Sequence, residues 1–171
     1  MSQPEFSRTI DVRFLPEAVQ RLEASADERN GLARRFDLVA IESLIATLSL
    51  DRDKRVVTAT GLLEARIIQR CAVSAEDLAV VISEPLALRF VPASAERRPD
   101  EEIELDADDC DEAEYTGTVI DLGEEVAQTM AVAIDSFLTG PMAEEARRRA
   151  AIIGEGAAGP FAALAALKKR D

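Results

Sequence analysis

A regular alternation of apolar and polar residues makes positions 57–73 the clearest predicted strand of this chain. The odd positions are mainly aliphatic or small, whereas the even positions include Glu64 and Arg66. A two-residue period of this length is typical of a strand with one buried face. Gly61 lies within the run and predicts a β-bulge or a sharp bend.

The same period predicts further strands on both sides of this one. They cover Ser7–Leu15, 43–51, Val80–Phe90 and Tyr115–Ile120. The apolar residues of 36–50 also fit a helical period, but the turn-forming residues Asp51–Lys54 favour a strand and an antiparallel hairpin. Pro85 places its strand at a sheet edge or at a bulge, because proline cannot donate a hydrogen bond to a neighbouring strand.

Helix starts are indicated by two capping-box spacings. Ser25 and Glu28 predict a helix that runs to about Arg35, and Asp121 and Glu124 predict a second one.

The second predicted helix carries apolar residues at helical spacing from Val126 to Phe137 and is expected to end at Gly140-Pro141. A C-terminal helical segment is predicted at about 141–169, interrupted by a glycine-rich linker before Pro160.

These elements predict an α+β fold in which helices pack on an antiparallel sheet, with a strongly curved or barrel-like sheet as an alternative. At 171 residues the chain is expected to form a single domain, 1–171. The core must consist of Leu, Ile, Val and Ala, because the chain has six Phe, one Tyr and no Trp.

The charge of the chain is concentrated in one segment. Residues 94–114 hold eleven acidic residues against Arg97 and Arg98, which accounts for −9 of the total net charge of −13. We expect this segment, at about 94–114, to be a mobile, solvated acidic loop. The charge excludes a protein whose whole surface binds phosphates, but it leaves room for a local basic patch.

The sequence contains few candidates for catalytic residues. The chain has no histidine, which removes the usual general base, the histidine-dependent nucleophile pairs and most zinc sites. Cys71 lies on the apolar side of its strand and is interpreted as a packing residue, and a disulfide with Cys110 is not expected. We therefore expect no enzyme, no catalytic residue, no metal and no cofactor.

Neither a membrane-spanning run nor a basic-apolar leader is visible, so a cytoplasmic protein is expected.

Basic side chains are the remaining candidates for contact with a partner or RNA. Arg66 and Arg70 lie on the polar side of the central strand, where they form either cross-strand ion pairs or a phosphate or partner contact. The other candidates, which also fit an ordinary solvated surface, are Arg147, Arg148, Arg149, Lys168 and Lys169.

Four groups of residues, in order along the chain, resemble the YceD family, the large ribosomal RNA subunit accumulation proteins. The central group runs from Gly61 to Glu76, and the others lie at Glu28–Phe36, Ile120–Glu124 and Pro160–Lys168. The matching residues outside the early helix include Gly61, Ala65, Gln69, Cys71, Glu76, Asp121, Leu122, Pro160, Phe161, Leu164 and Leu167. The chain lacks the C-terminal cysteine cluster of many members, so no metal site is carried over, and its turn at Ser74–Asp77 lacks the family's proline.

The resemblance implies a non-enzymatic role in synthesis, processing or stability of large-subunit (23S) ribosomal RNA. The acidic charge favours an adaptor that binds a basic large-subunit ribosomal protein or an assembly factor, with direct binding of rRNA as the alternative. Neither DNA nor a membrane is expected as a partner. Gln69, a polar residue on an apolar face, is predicted to be buried and to brace the Ser74–Leu78 turn or a neighbouring strand.

Overall fold

The computed structural model describes residues 4–93 and 111–156. Within them the elements, in chain order, are β1 (Thr9–Asp11), β2 (Gln20–Glu23), α1 (Ala26–Arg35), β3 (Ala40–Asp53), β4 (Val56–Arg70), β5 (Asp77–Pro92), β6 (Asp111–Tyr115), β7 (Val119–Asp121), α2 (Leu122–Val132) and α3 (Ala143–Gly156). None of the helices in this described part is long and apolar enough to cross a membrane.

Five strands form one sheet in the order β2-β3-β4-β5-β6, and β1 pairs with β7 in a separate two-stranded sheet. The α+β class is confirmed. The sheet is antiparallel at β2-β3 and β3-β4 and parallel at β5-β6, so the predicted antiparallel sheet is mostly but not fully confirmed. A long segment, 94–110, separates β5 from β6 in sequence, and parallel neighbours require such a long connection. The sheet does not close into a barrel, since β2 and β6 are its two ends.

The predicted hairpin is the centre of this sheet. Strands β3 and β4 pair from Ala40↔Ile68 to Asp53↔Val56, so the ambiguous 36–50 region contributes a strand. No bulge occurs at Gly61, which pairs with Leu48 in regular register; the one irregularity of this pairing lies between Ile41 and Ser43.

Gly61 instead permits a close approach of β3. A Cβ at this position would lie 1.8 Å from the carbonyl oxygen of Thr47, so only a hydrogen fits there.

Both predicted helix starts are confirmed, but the second helix ends early. Ser25 and Glu28 form a complete capping box, and Asp121 caps α2. Helix α2 ends at Val132, because Ile134 donates its N–H to Ala131 only three residues back and the helical ladder stops there. Phe137, which the apolar spacing places on the buried face of this helix, is consequently 86% exposed.

The buried core lies between one face of the large sheet and the apolar sides of α1 and α2. Leu44, Leu48, Leu63 and Ile67 from the hairpin are almost completely buried. Burying a side chain of this size stabilises the fold by about 1.5–3 kcal/mol. The opposite side of β3 and β4 is exposed over most of its length.

The described residues fall into two compact units. The first, which we call the sheet unit, contains the residues up to Gln69 and Ala79–Asp135. The second, the loop unit, contains residues 70–78 and the described residues after 135. The expectation of a single domain concerns the whole chain and stays a prediction.

Two predicted segments fall partly outside the described residues. Of the acidic segment 94–114, residues 94–110 lie outside them, and 111–114 belong to β6. Of the C-terminal segment 141–169, α3 provides the described part, and 157–169 lie outside it.

Candidate functional surfaces

Three of the motif residues support the packing of the sheet unit. Gly61 lets the β3 backbone approach, Ala65 is 2% exposed in the core, and Leu122 at the start of α2 is fully buried. Their small or aliphatic side chains are explained by the space available to them, which assigns them to folding.

Gln69 is buried, as predicted, with 5% of its surface exposed. Its Nε2 donates to the carbonyl oxygen of Asp135 at 2.7 Å, so it braces the chain just after α2. The predicted partner, the Ser74–Leu78 turn or a neighbouring strand, is therefore wrong. Among the described residues its Oε1 has no hydrogen-bond partner.

In the loop unit, the sulfur atom of Cys71 accepts several backbone hydrogen bonds. Cys71 has a free thiol that is 4% exposed, and its Sγ accepts backbone N–H groups from Val73, Ser74 and Gly140 at 3.5, 3.4 and 3.3 Å. Hydrogen bonding by Ser74, first through its side chain and then through its backbone, lowers the pKa of the thiol to about 7, with a further contribution from the Gly140 N–H. These bonds hold the turn after β4 to the segment before α3.

Glu76 makes a second connection within the loop unit. Its Oε1 accepts from the hydroxyl of Ser74 and from the backbone N–H of Met142, both at 2.9 Å. Gly140 leaves room for this carboxylate, because a Cβ there would lie 2.5 Å from the same oxygen. The motif residues Cys71 and Glu76, five positions apart, are thus brought together to fix one loop.

Asp121 joins the N-terminal segment to the start of α2. One carboxylate oxygen accepts from the backbone of Arg8 at 2.7 Å and from the N–H groups of Gly123 and Glu124 at 3.0 and 3.3 Å. The other oxygen accepts from the hydroxyl of Ser7 at 2.5 Å. A carboxylate at a helix N-terminus also interacts favourably with the helix dipole.

Two arginine contacts in the sheet unit could not be read from the sequence. Arg8 binds both oxygens of Glu28 at 2.7 and 3.0 Å, and Arg35 binds both oxygens of Glu124 at 2.7 and 3.0 Å and also contacts Glu5. The Arg8 hydrogen bonds lower the pKa of Glu28 to about 2, and Arg35 lowers the pKa of Glu124. The paired residues are 20 and 89 positions apart, so no local pattern reveals them.

The motif residues in the described part of the chain therefore serve the fold. Apart from Oε1 of Gln69, their polar groups are directed at backbone or side-chain partners inside their own unit. A partner surface must be sought among exposed residues outside the motifs.

The predicted basic candidates differ in how they are engaged. Arg66 and Arg70 are exposed on β4. Within the described residues neither forms an ion pair, so the expected cross-strand pairing is wrong. On α3, Arg147 is paired with Glu144 and Arg149 with Glu145.

The remaining candidates are placed as follows. Arg148 is exposed on α3. The positions that lie outside the described residues are Pro160, Phe161, Leu164, Leu167, Lys168 and Lys169.

The edge of β5 is an open backbone surface of the sheet unit. Strand β6 pairs only with Leu88–Pro92, so the preceding residues Ala79–Ala87 have β4 on one side and, within the described residues, no strand on the other. Val81 on this stretch is 69% exposed. Sequence reasoning indicated an edge only through Pro85.

Acidic residues border this edge. A groove of about 280 Å³ lies where β6 begins, and its lining includes Leu88, Glu112, Glu125 and Val132. Val132 is 88% exposed, whereas Glu112 is paired with Arg89 of β5, so the groove offers an accessible apolar side chain beside an engaged carboxylate.

No family model matches this chain, and no curated protein and no solved structure matches it either.

Proposed function

We propose that this protein is a non-enzymatic, cytoplasmic factor that supports synthesis, processing or stability of large-subunit ribosomal RNA. It acts as an adaptor that binds a basic large-subunit ribosomal protein or assembly factor. The proposal is supported by the four groups of residues that resemble the YceD family in the same order along the chain.

The observation that carries the adaptor mechanism is the uneven charge. Residues 94–114 carry −9, while the rest of the chain carries only −4. A dense charge of one sign accelerates encounters with oppositely charged proteins and discourages wrong partners. Ribosomal proteins that bind rRNA need basic surfaces, which an acidic adaptor complements.

The internal engagement of the motif residues also favours an adaptor over an enzyme. Cys71, the one nucleophile considered from the sequence, is buried and accepts three backbone hydrogen bonds. A nucleophile needs access to its substrate, whereas an acceptor in a loop needs none.

Binding to basic proteins stripped from the large ribosomal subunit and treated with RNase tests the proposal. We expect binding at about 50 mM salt that weakens at least about tenfold at about 300 mM, because exposed charges are screened over shorter distances. Changing the acids of 94–110 to Asn and Gln should weaken binding similarly at low salt. A variant of the same length in which only Ser94, Ala95 and Ala107 are changed to Gly serves as the control. Binding that changes neither with the salt concentration nor with the charges of the loop would contradict the proposal.

Direct binding of rRNA is the second candidate, favoured by Arg66 and Arg70, which are exposed on β4 and form no ion pair with any residue that the structure describes. Gel shifts with precursor rRNA fragments test it. Changing both to Ala should weaken binding and reduce the salt slope by about 2 if each contacts a phosphate. Arg21→Ala is the matched control, because Arg21 is also an exposed strand arginine but is paired with Glu23. Equal effects of the two changes would exclude these arginines as an RNA site.

A further inference from the structure

We propose that the free edge of β5, Ala79–Ala87, binds an extended, basic segment of the partner protein, which joins the sheet as an additional strand. This inference rests on the proposed function and specifies where and how the basic partner is held. Strand addition supplies affinity through backbone hydrogen bonds, and alternate side chains supply specificity.

The edge is unpaired over a length that suits strand addition. β5 runs from Asp77 to Pro92, but β6 covers only its last five residues, Leu88–Pro92. In the described chain no further backbone hydrogen bond reaches the stretch Ala79–Ala87 from the β6 side. Unpaired N–H and C=O groups along a strand edge form a template for another chain.

The direction of the backbone N–H and C=O groups along the free edge follows from the pairing of β5 with β6. Ala93 donates its N–H to Tyr115 of β6, so the odd-numbered residues at that end of β5 direct their backbone groups toward the β6 side. From Ile82 to Phe90 the buried residues all occupy even positions on both sides of Glu84, which is itself exposed, so the two-residue phase is kept. Val81 and Ser83 therefore direct their N–H and C=O groups to the free side. Pro85 has the same orientation, and a proline is tolerated there because its missing N–H would point away from β4.

The edge is only partly protected against association. Charged residues and proline discourage edge pairing, and Glu84 and Pro85 have this effect at one end. The preceding Val80, Val81 and Ile82 are β-branched residues that favour extended pairing, and nothing among the described residues covers their free side. Five residues, Ala79–Ser83, thus remain open to a partner strand.

The charge around the edge selects a basic occupant. Glu84 lies on the edge, and the sequence that follows β5 holds eight acidic residues between 94 and 110 against Arg97 and Arg98. Glu112, in the groove at the start of β6, is already paired with Arg89 and adds no free charge. A second copy of this chain would bring the same carboxylates and a net charge of −13 to the same edge. Like charges brought together are unfavourable, whereas lysine and arginine on an added strand would be attracted.

Hydrogen–deuterium exchange of the full chain, with and without the basic large-subunit proteins used above, locates the contact. We expect the amides of Val81 and Ser83 to exchange at least about tenfold more slowly in the complex. Val81→Pro removes the outward N–H and should weaken binding about tenfold or more, whereas Val81→Thr keeps the N–H and the β-branched shape and should bind like wild type. Should Val81→Pro fail to fold, the exchange result on the wild-type chain decides.

The outcomes separate this inference from the proposed function. Salt-sensitive binding with protection elsewhere, or equal binding by both Val81 variants, overturns the edge site and leaves the adaptor role intact. Absence of binding to basic proteins overturns both. Protection of Ala79–Ser83 that depends on the concentration of this chain alone identifies a second copy as the occupant and also overturns the inference.

Discussion

Gly61 is a position where the sheet leaves no room for a side chain. The atoms nearest to a methyl group added at this position would all belong to the β3 backbone, at Thr47 and Leu48, and backbone cannot rotate away as a flexible side chain can. Gly61 predicts a bulge from the sequence, but in the structure it lies where two regularly paired strands come close together.

Changing Gly61 to Ala should therefore lower the free energy of unfolding by about 3 kcal/mol, because β3 and β4 must separate locally. Urea unfolding of the purified variant measures the loss. Thr60→Ala, at the exposed neighbouring position, should change stability by no more than about 0.5 kcal/mol. A Gly61→Ala protein as stable as wild type would show that the two strands can move apart at little cost.

Cys71 predicts a pH dependence of stability. Its folded pKa of about 7 lies below the ordinary value of 9.0, so the folded state favours the thiolate. The resulting stabilisation is complete above about pH 9 and is lost as the pH falls through about 7. The difference in stability between wild type and Cys71→Ala should widen from pH 7 to pH 9, as measured by urea unfolding.

Val73→Ala is the control for this change, since Val73 lies in the same turn and does not titrate. Its stability difference from wild type should stay constant over the same range. A constant difference for Cys71→Ala as well would mean that the three N–H groups do not favour the thiolate.

On the scale of elements, the start of α1 depends on Glu28 in two ways. Its carboxylate accepts the N–H of Ser25 at 2.7 Å, which completes the capping box, and it also binds Arg8. The sequence indicated the first contact through its local spacing. The second required the fold, because Arg8 is brought to the helix by the N-terminal segment.

Glu28→Gln should cost about 1 kcal/mol of stability at pH 7, since a neutral amide caps and pairs less well and the site is partly solvated. The pKa of Glu28 is lowered to about 2, so its contribution is complete above about pH 4.5 and disappears as the pH falls through about 2. Urea unfolding at pH 7, 4 and 2.5 should show the two proteins converging. Glu17→Gln, at an exposed position outside any helix, should give no such convergence; a gap that persists at pH 2.5 would contradict the ion pair.

Strand β6 shows why an element can be hidden in a sequence. Its first four residues, 111–114, belong to the acidic segment, and composition alone indicates a solvated loop there. Tyr115 is nevertheless buried, with Ala113 partly so and Glu112 and Glu114 exposed, which is a two-residue alternation. The hydroxyl of Tyr115 donates to the carbonyl of Arg55 at 2.6 Å, a contact that only the assembled sheet provides.

For the molecule as a whole, the acidic segment is expected to contribute to binding and little to stability. Replacing 94–110 by a Gly-Ser linker of about eight residues still spans the roughly 15 Å from the end of β5 back to the start of β6. We expect the thermal midpoint to stay within about 3 °C of wild type, because so acidic a segment cannot bury much apolar surface. Scanning calorimetry measures it, and a much larger fall would show that the segment belongs to the core.

Features that depend on neighbouring residues along the chain could be predicted from the sequence. The β3–β4 hairpin, both capped helix starts and the burial of Gln69 and Cys71 follow from local periodicity and spacing. Such patterns are reliable because a strand with one buried face requires apolar residues at alternate positions, and a capped helix start requires a hydrogen-bonding side chain at the cap.

Features that depend on distant residues became apparent only in the folded chain. The parallel β5–β6 pairing, the early end of α2 and the Arg8–Glu28 and Arg35–Glu124 contacts leave no local pattern, and Pro85 indicates an edge at β5 without showing how far it extends. Each depends on which segments meet in space, and the energy of those contacts is not encoded by the spacing of neighbouring residues. The edge of β5, the surface that we propose for the partner, is visible only because the sheet shows where its pairing stops.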